Sequence, residues 1–297
     1  MKSNLKFLFI YLFLYFQIGY TNHFITFIIP CYNCEQWIEE AVGSIYQQNL
    51  PYPFEIICTN DGSSDQTYEK LLSLGKNHPE ILIFKHEKNK GGGAARNTCV
   101  YYSKGDLIFC LDSDNILEPN SIKKLITHLD QTQSDIVSFG SPQYFKNHFE
   151  KIKSIKYSTK NCEFTLSDIL QHDNSPPWSG NYLYTRKSYD LVGGYPEKWG
   201  AVDTFSFGFL QLLHHCKMTY VPDTFYWHRQ TPDSYYVRDL NSNKINIYFF
   251  KLMIKNKKIF TDKTINIIKK NLDLALNGKK YKDYTKLMTK KKLKLRN

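Results

Sequence analysis

Between residues 24 and 139 the chain alternates short apolar runs with stretches of helical character, and this rhythm restricts the fold more than any other feature. Five runs read as strands: Phe24–Ile29, which stops at Pro30, then Phe54–Cys58, Ile81–Phe84, Leu107–Leu111 and Asp135–Phe139. The stretches 35–47, 65–74, 91 to about 102, and 121–129 read as helices. An alternation of this kind predicts an α/β fold with a mostly parallel sheet flanked by helices. After residue 140 the rhythm breaks. Strand-like pieces, a loop around Pro176-Pro177-Trp178, and helices near 186–192 and 203–214 suggest a second half laid on the same sheet. The expected organisation is a hydrophobic segment over 1–20, a globular domain over 21–240 with halves at about 21–140 and 141–240, and a basic helical tail over 241–297.

Charge separates the last of these from the rest. The whole chain carries 39 Lys and Arg against 28 Asp and Glu. From Lys251 to Asn297 there are 16 Lys and Arg against three Asp, which leaves 23 basic and 25 acidic residues in the first 250. A near-neutral body excludes a global electrostatic footprint for nucleic acid, and no nucleic-acid partner is expected. The tail, interrupted by Leu272, Leu274, Leu276, Leu287, Leu293 and Leu295, reads either as a basic amphipathic helix on anionic lipid or as a solvated end.

At the N-terminus Lys2 and Lys6 precede the apolar run Phe7–Phe16. A charged start and a short apolar core resemble a secretory signal or signal anchor. The run is shorter than the ~20 residues a spanning helix needs. Cleaved signal, uncleaved anchor and membrane-dipping helix all stay open, and membrane association is expected. The seven Cys are odd in number and irregularly spaced, which argues against a disulfide framework. Cys58, Cys99 and Cys110 lie in or beside apolar runs and read as buried thiols; the Cys31–Cys34 pair reads as packing rather than a metal site.

In open parallel sheets ligands sit beyond the carboxyl ends of the strands. Tyr32 and Asn33 follow the first strand, Asp61 the second, and Asp112-Ser113-Asp114 the fourth. Carboxylates at such a place suit Mg2+ or Mn2+, ions that usually complete their shell with substrate phosphates. Gly91-Gly92-Gly93 opens a helix but lacks the Gly-Lys-Ser/Thr ending of a P-loop. Arg96 lies in that helix's first turns. Asp203 begins a helical pattern, where an Asp is a favoured cap. His228 and Arg229 adjoin in Tyr226–Gln230, and an Arg there has the fork geometry to clamp phosphate.

In this order the pieces resemble family 2 glycosyltransferases of the GT-A, Rossmann-like fold. The resemblance runs from about 24 to 240, through Phe27–Asn33, Thr59–Asp65, Asn89–Asn97, Leu111–Asp114, Leu191–Tyr195 and Val202-Asp203. It implies a nucleotide half over 21–140 and an acceptor half over 141–240. It further implies that Pro30, Tyr32, Asp61, Arg96, Asp112 and Arg229 bind the nucleotide. Tyr32 would lie against the base, Asp61 would hydrogen-bond it, and Asp112 would contact the ribose. Asp114 would bind Mn2+ or Mg2+, with His228 a further candidate ligand, and Asp203 would take the acceptor proton in an inverting transfer from a nucleotide-sugar, of UDP type, to a glycan or glycolipid. Two departures stand out: the family often has Glu where Val202 sits, and a His where Thr231 sits. A catalytically silent nucleotide-sugar-binding subunit is the alternative, and the presence of Asp114 and Asp203 counts against it. The expected location is at a membrane, with the catalytic domain cytosolic in a bacterium or lumenal behind a eukaryotic anchor.

Overall fold

The computed structural model describes residues 23–146, 151–154, 181–231 and 244–282, together with residues 159–166 and a few single positions. The hydrophobic segment at 1–20 and the loop at 176–178 lie outside the described residues. Among the described residues no helix is long and apolar enough to cross a membrane.

The first half follows the alternation. β1 (Ile25–Cys31), β2 (Phe54–Asp61), β3 (Ile81–His86) and β4 (Leu107–Cys110) are joined by α1 (Ile38–Tyr46), α2 (Thr67–Asn77) and α3 (Gly92–Tyr101). β1 pairs in parallel with both β2 and β4, and β2 in parallel with β3. Strand periodicity of two explains why these runs are apolar throughout. Phe27 and Ile29 enter one core while Ile28 enters the other, and Phe109 and Ile108 divide the same way. α1 buries Ile38, Ala41, Val42 and Ile45, the i, i+3, i+4, i+7 stripe of a helix on a sheet. Two strands run on past the apolar residues: β1 through Pro30 to Cys31, and β2 to Asp61.

The fifth expected strand does not lie beside the fourth. After β5 (Ile116–Leu117) and α4 (Ser121–Thr132) comes β6 (Ile136–Phe145), longer than its apolar stretch. β9 (Tyr182–Thr185) slots antiparallel between β4 and β6. The insertion leaves β6 pointing the same way as β4. β7 (Lys151–Ser154) and β8 (Glu163–Phe164) pair at the sides. α5 (Arg186–Val192), α6 (Asp203–Leu213) and β10 (Met218–Arg229) complete the second half. The sheet order is β3-β2-β1-β4-β9-β6-β10-β5, and β10 runs parallel to β6. The C-terminal ends of β1, β2, β4 and β10 and the start of β9 therefore share one edge.

The tail is folded at least as far as residue 276. α7 (Lys244–Lys255) and α8 (Asp262–Leu276) are amphipathic. They turn Ile245, Phe249, Phe250, Leu252, Met253, Ile265 and Ile268 into the same core as Phe205, Phe207 and Phe209. Lys251, Lys255, Lys263, Lys269 and Lys270 face out. The buried face of these two helices thus belongs to the protein's own core, while of the leucines singled out in the sequence Leu272 and Leu274 are part-buried and Leu276 is exposed.

Candidate active site

The loops after β1 and β2 are tied to each other. Asn33, at φ 48, donates its amide to Ser63 Oγ (3.0 Å), and its Oδ1 accepts from the Ser64 amide (2.9 Å). Cys34 N–H donates to Thr67 Oγ1 and Glu35 N–H to Asp65 Oδ2. Between these ties Tyr32 stands 42% exposed, beside half-buried Pro30. A large aromatic held out on a rigid loop is a stacking surface.

Asp61, the last residue of β2, is 2% exposed. Its Oδ1 faces His86 Nδ1 (2.6 Å) and accepts the Lys90 amide (2.9 Å), and its Oδ2 accepts the Gly91 amide (2.8 Å). In this arrangement Asp61 organises the glycine-rich loop that opens α3. His86, which fixes Asp61 and reaches Thr98 through its other nitrogen (2.9 Å), was not singled out in the sequence. Its position at the end of the third strand is the signal that marked the others.

Arg96 is the hub. It is buried, and its guanidinium donates from Nη1 to Asp203 Oδ2 (2.7 Å) and from Nη2 to Asp112 Oδ1 (2.6 Å). Nε points at Cys110 Sγ (3.3 Å), and the Tyr195 ring lies 5.8 Å away. Burial opposes the Arg96 charge, but the neighbouring anions, led by Asp203, more than offset it and hold the guanidinium above its ordinary range. Gly92 leaves room for this pair. A Cβ there would stand 2.6 Å from Arg96 Nη1 and 2.8 Å from Asp203 Oδ2. At Gly92 the absent side chain admits protein groups rather than a ligand.

Asp203 is the first residue of α6, 5% exposed, with its Oδ1 accepting the Thr204 amide (2.7 Å). Burial raises its carboxyl above the usual range, and the Arg96 charge works against that rise without cancelling it. A carboxylate made more basic by burial has the character of a proton acceptor.

The D-x-D turn after β4 is held from three sides. Asn181, just before β9, accepts the Asp112 amide on Oδ1 (2.6 Å). Arg229 Nε donates to the Asp114 carbonyl (3.1 Å), and the Arg229 amide donates to Asn115 Oδ1 (3.0 Å). Arg229 is itself pinned. Nη2 bonds Glu40, and Trp37 and Phe145 flank the guanidinium at 4.2 and 4.5 Å. Arg229 is thus 7% exposed and engaged with protein, holding the metal-type turn rather than standing free as a phosphate clamp. Glu40, Trp37 and Asn181 carried no signal in the sequence, because their roles depend on distant partners.

Asp114 is pushed up to about 7, first by burial and then by the neighbouring Asp112. His228 is pushed down to about 4 by burial, so it is neutral, and among the described residues its Nδ1 has no hydrogen-bond partner. A carboxyl whose charge its acidic neighbour disfavours, with a neutral imidazole in charge range of that neighbour, forms a donor set that suits a divalent cation. Among the described residues no three His, Cys, Asp or Glu are grouped to hold a metal unaided.

An α/β sheet with a D-x-D turn, an aromatic loop and a buried carboxylate on one edge defines a nucleotide-sugar enzyme of the GT-A type. The family model "Glycosyl transferase family 2" matches residues 26–193, more than half of the chain, and the protein belongs to that family. It is 32% identical over 114 residues to the poly(ribitol-phosphate) beta-glucosyltransferase of Bacillus spizizenii, covering 38% of this chain and 18% of that protein. It is 37% identical over 112 residues to the chondroitin synthase of Escherichia coli, covering 38% and 16%. The chain thus spans less than a fifth of these curated relatives. Among solved structures, S. aureus TarS 1–349 superposes with TM-score 0.60 at 20% identity, over 85% of this chain and 70% of that one. The mannosyltransferase PcManGT from Pyrobaculum calidifontis, in complex with GDP-Man and Mn2+, gives TM-score 0.60 at 16% identity over 91% and 74%; at such identities these likenesses show the fold.

Proposed function

We propose that the protein transfers a glycosyl group from a nucleoside-diphosphate sugar, of UDP type, to a hydroxyl of a glycan or glycolipid, with inversion at the anomeric carbon. The observation that carries this reading is the Asp112–Arg96–Asp203 bridge, which puts a D-x-D carboxylate and a basic buried carboxylate within the span of one guanidinium. Solved structures of TarS contain UDP and UDP-GlcNAc, which supports a uridine donor here.

In this reading Tyr32 and Pro30 bear on the base, and Asp61 shapes the loop that meets it. Asp112 takes the ribose, while Arg96 orients Asp112 through its Nη2 hydrogen bond. Arg229 acts on the diphosphate indirectly, by fixing the turn that carries Asp114. Mn2+ or Mg2+, held by Asp114 with His228 as a nitrogen donor, would supply charge neutralisation for the departing diphosphate. Asp203 accepts the acceptor hydroxyl proton as its oxygen bonds to the anomeric carbon and the carbon–phosphate-oxygen bond breaks. A positioned base of this kind contributes typically about 10²–10⁴-fold. Membrane association belongs to the same proposal and rests on the apolar run Phe7–Phe16.

The test is release of nucleoside diphosphate from a panel of UDP- and GDP-sugars with Mn2+ and candidate glycan acceptors, with the product anomer read by NMR. An inverted product from a UDP-sugar is expected. A retained anomer, or binding without turnover on every donor, contradicts the proposal.

A further inference from the structure

The turn that delivers Asp203 is built by residues from the C-terminal extension. Gly200–Val202 forms a short 3-10 turn directly before α6. Gly200 has φ +55, and a Cβ there would meet Tyr248 Cε2 at 2.5 Å and Asp239 Oδ2 at 2.6 Å. Both contacts come from beyond β10. Asp239 is 3% exposed, and its Oδ2 accepts the Ala201 amide (3.0 Å). Among the described residues the exposed Lys244 pairs with it, Nζ lying 3.9 Å from Oδ1. Tyr248, on α7, sets its ring edge against Trp199 with centroids 6.5 Å apart. The next residue, Phe249, meets Phe205 of α6 at 5.7 Å.

The amides at a helix start lack partners inside the helix, and a buried one left unpaired is costly. A carboxylate brought from elsewhere in the chain and buried against such an amide fixes where the helix begins. Here the residue two positions after Ala201 is Asp203. Val202 stands where the family often has Glu, and the carboxylate that bonds this turn comes from Asp239.

We infer that the chain beyond β10 is part of the catalytic apparatus, with Asp239 the positioning residue that sets Asp203 through the Trp199–Val202 turn and Tyr248, on α7, its backstop. The inference rests on Asp203 being the base. It assigns α7 a function that the charge of the tail did not suggest. A misplacement of about 1 Å in a reacting group costs on the order of 10²-fold.

The experiment compares Asp239→Ala and Asp239→Asn in the full chain by steady-state transfer and by amide hydrogen exchange of residues 199–203. In D239A turnover falls about 10- to 100-fold with donor KM within twofold of wild type, and exchange of the turn quickens. D239N keeps an oxygen for the Ala201 amide and recovers to within a few-fold in both readouts. Should D239A fold poorly, Tyr248→Leu carries the same test, with a severalfold loss of turnover and faster exchange confined to the turn. Wild-type turnover in D239A, or exchange in the turn that is unchanged or rises only with that of the whole domain, overturns the inference. Absence of turnover in the wild type itself would count against the transferase reading, and the exchange data would still decide the role of Asp239.

Discussion

The two sides of the site are held by different kinds of contact. On the β1–β2 side, polar residues that directly follow strands brace one another: Asn33 against Ser63 and Ser64, Asp61 against the Gly91 loop. On the side of Asp203, the critical carboxylate is placed by an arginine 107 residues earlier and by a turn braced from the C-terminal helices. A repeating strand–loop–helix unit builds its own ligand edge. The acceptor side has to be assembled from parts the repeat does not supply. Donor binding and base positioning should therefore be separable by mutation.

The largest effect that sharpens this division is on turnover. Asp203→Asn should lower transfer by about 10²–10⁴-fold while nucleotide affinity stays within a few-fold. A parallel loss of both in a transfer assay and a nucleotide titration would dissolve the distinction between the two sides.

Next comes the residue that joins them. Arg96→Ala leaves the buried Asp203 and the part-buried Asp112 without a counter-charge, and should cost about 3–5 kcal/mol in chemical denaturation. A loss below 1 kcal/mol would mean the two sides do not depend on this bridge. A comparable loss, about 3–5 kcal/mol, is expected for Phe249→Ala on α7, which empties a fully buried aromatic position. A neutral result there would return the extension to the status of a detachable tail.

The contrast also explains what could be read from the sequence. Asp61, Asp112 and Asp114 were legible because strand ends in an alternating pattern converge whatever the details of packing. The insertion of β9 between β4 and β6 was not, since no local pattern in Tyr182–Thr185 announces an antiparallel neighbour. The same holds for Glu40, Asn181 and Asp239, ordinary polar residues until a distant element is set beside them. Arg229 shows what residue type alone leaves out. Its type suggested a phosphate clamp, while Trp37, Phe145 and Glu40 had already enclosed it. In the tail the Lys count drew attention from the spacing of Ile245, Phe249, Leu252 and Met253, which forms one buried helical face.

Smaller effects concern protons. With the Asp114 carboxyl raised to about 7 by burial and Asp112, its ionised form is scarce in acid. Metal-dependent nucleotide affinity should thus rise about tenfold per pH unit below 7 and level off above it, as for any ligand that must lose a proton. A flat profile from pH 5.5 to 8 would remove Asp114 from the metal site. The smallest effect lies at the opposite sheet edge. Burial lowers the His23 pKa, but hydrogen bonds to Asp106 and Asp130 outweigh it, and the net shift is upward from 6.5. A raised folded pKa gives stability that is full below 6.5 and fades as pH climbs through the folded value. His23→Gln should then cost on the order of 1 kcal/mol at pH 6 and less at pH 8.5, by thermal denaturation.

The central claim, a donor end and a base end on one edge, is tested most directly by calorimetric titration of UDP with Mn2+ into wild type, Asp114→Ala and Asp203→Asn. The account expects tight metal-dependent binding in wild type, its loss in Asp114→Ala, and its retention in Asp203→Asn. Equal loss in both variants, or binding in Asp114→Ala that still requires Mn2+, would contradict it.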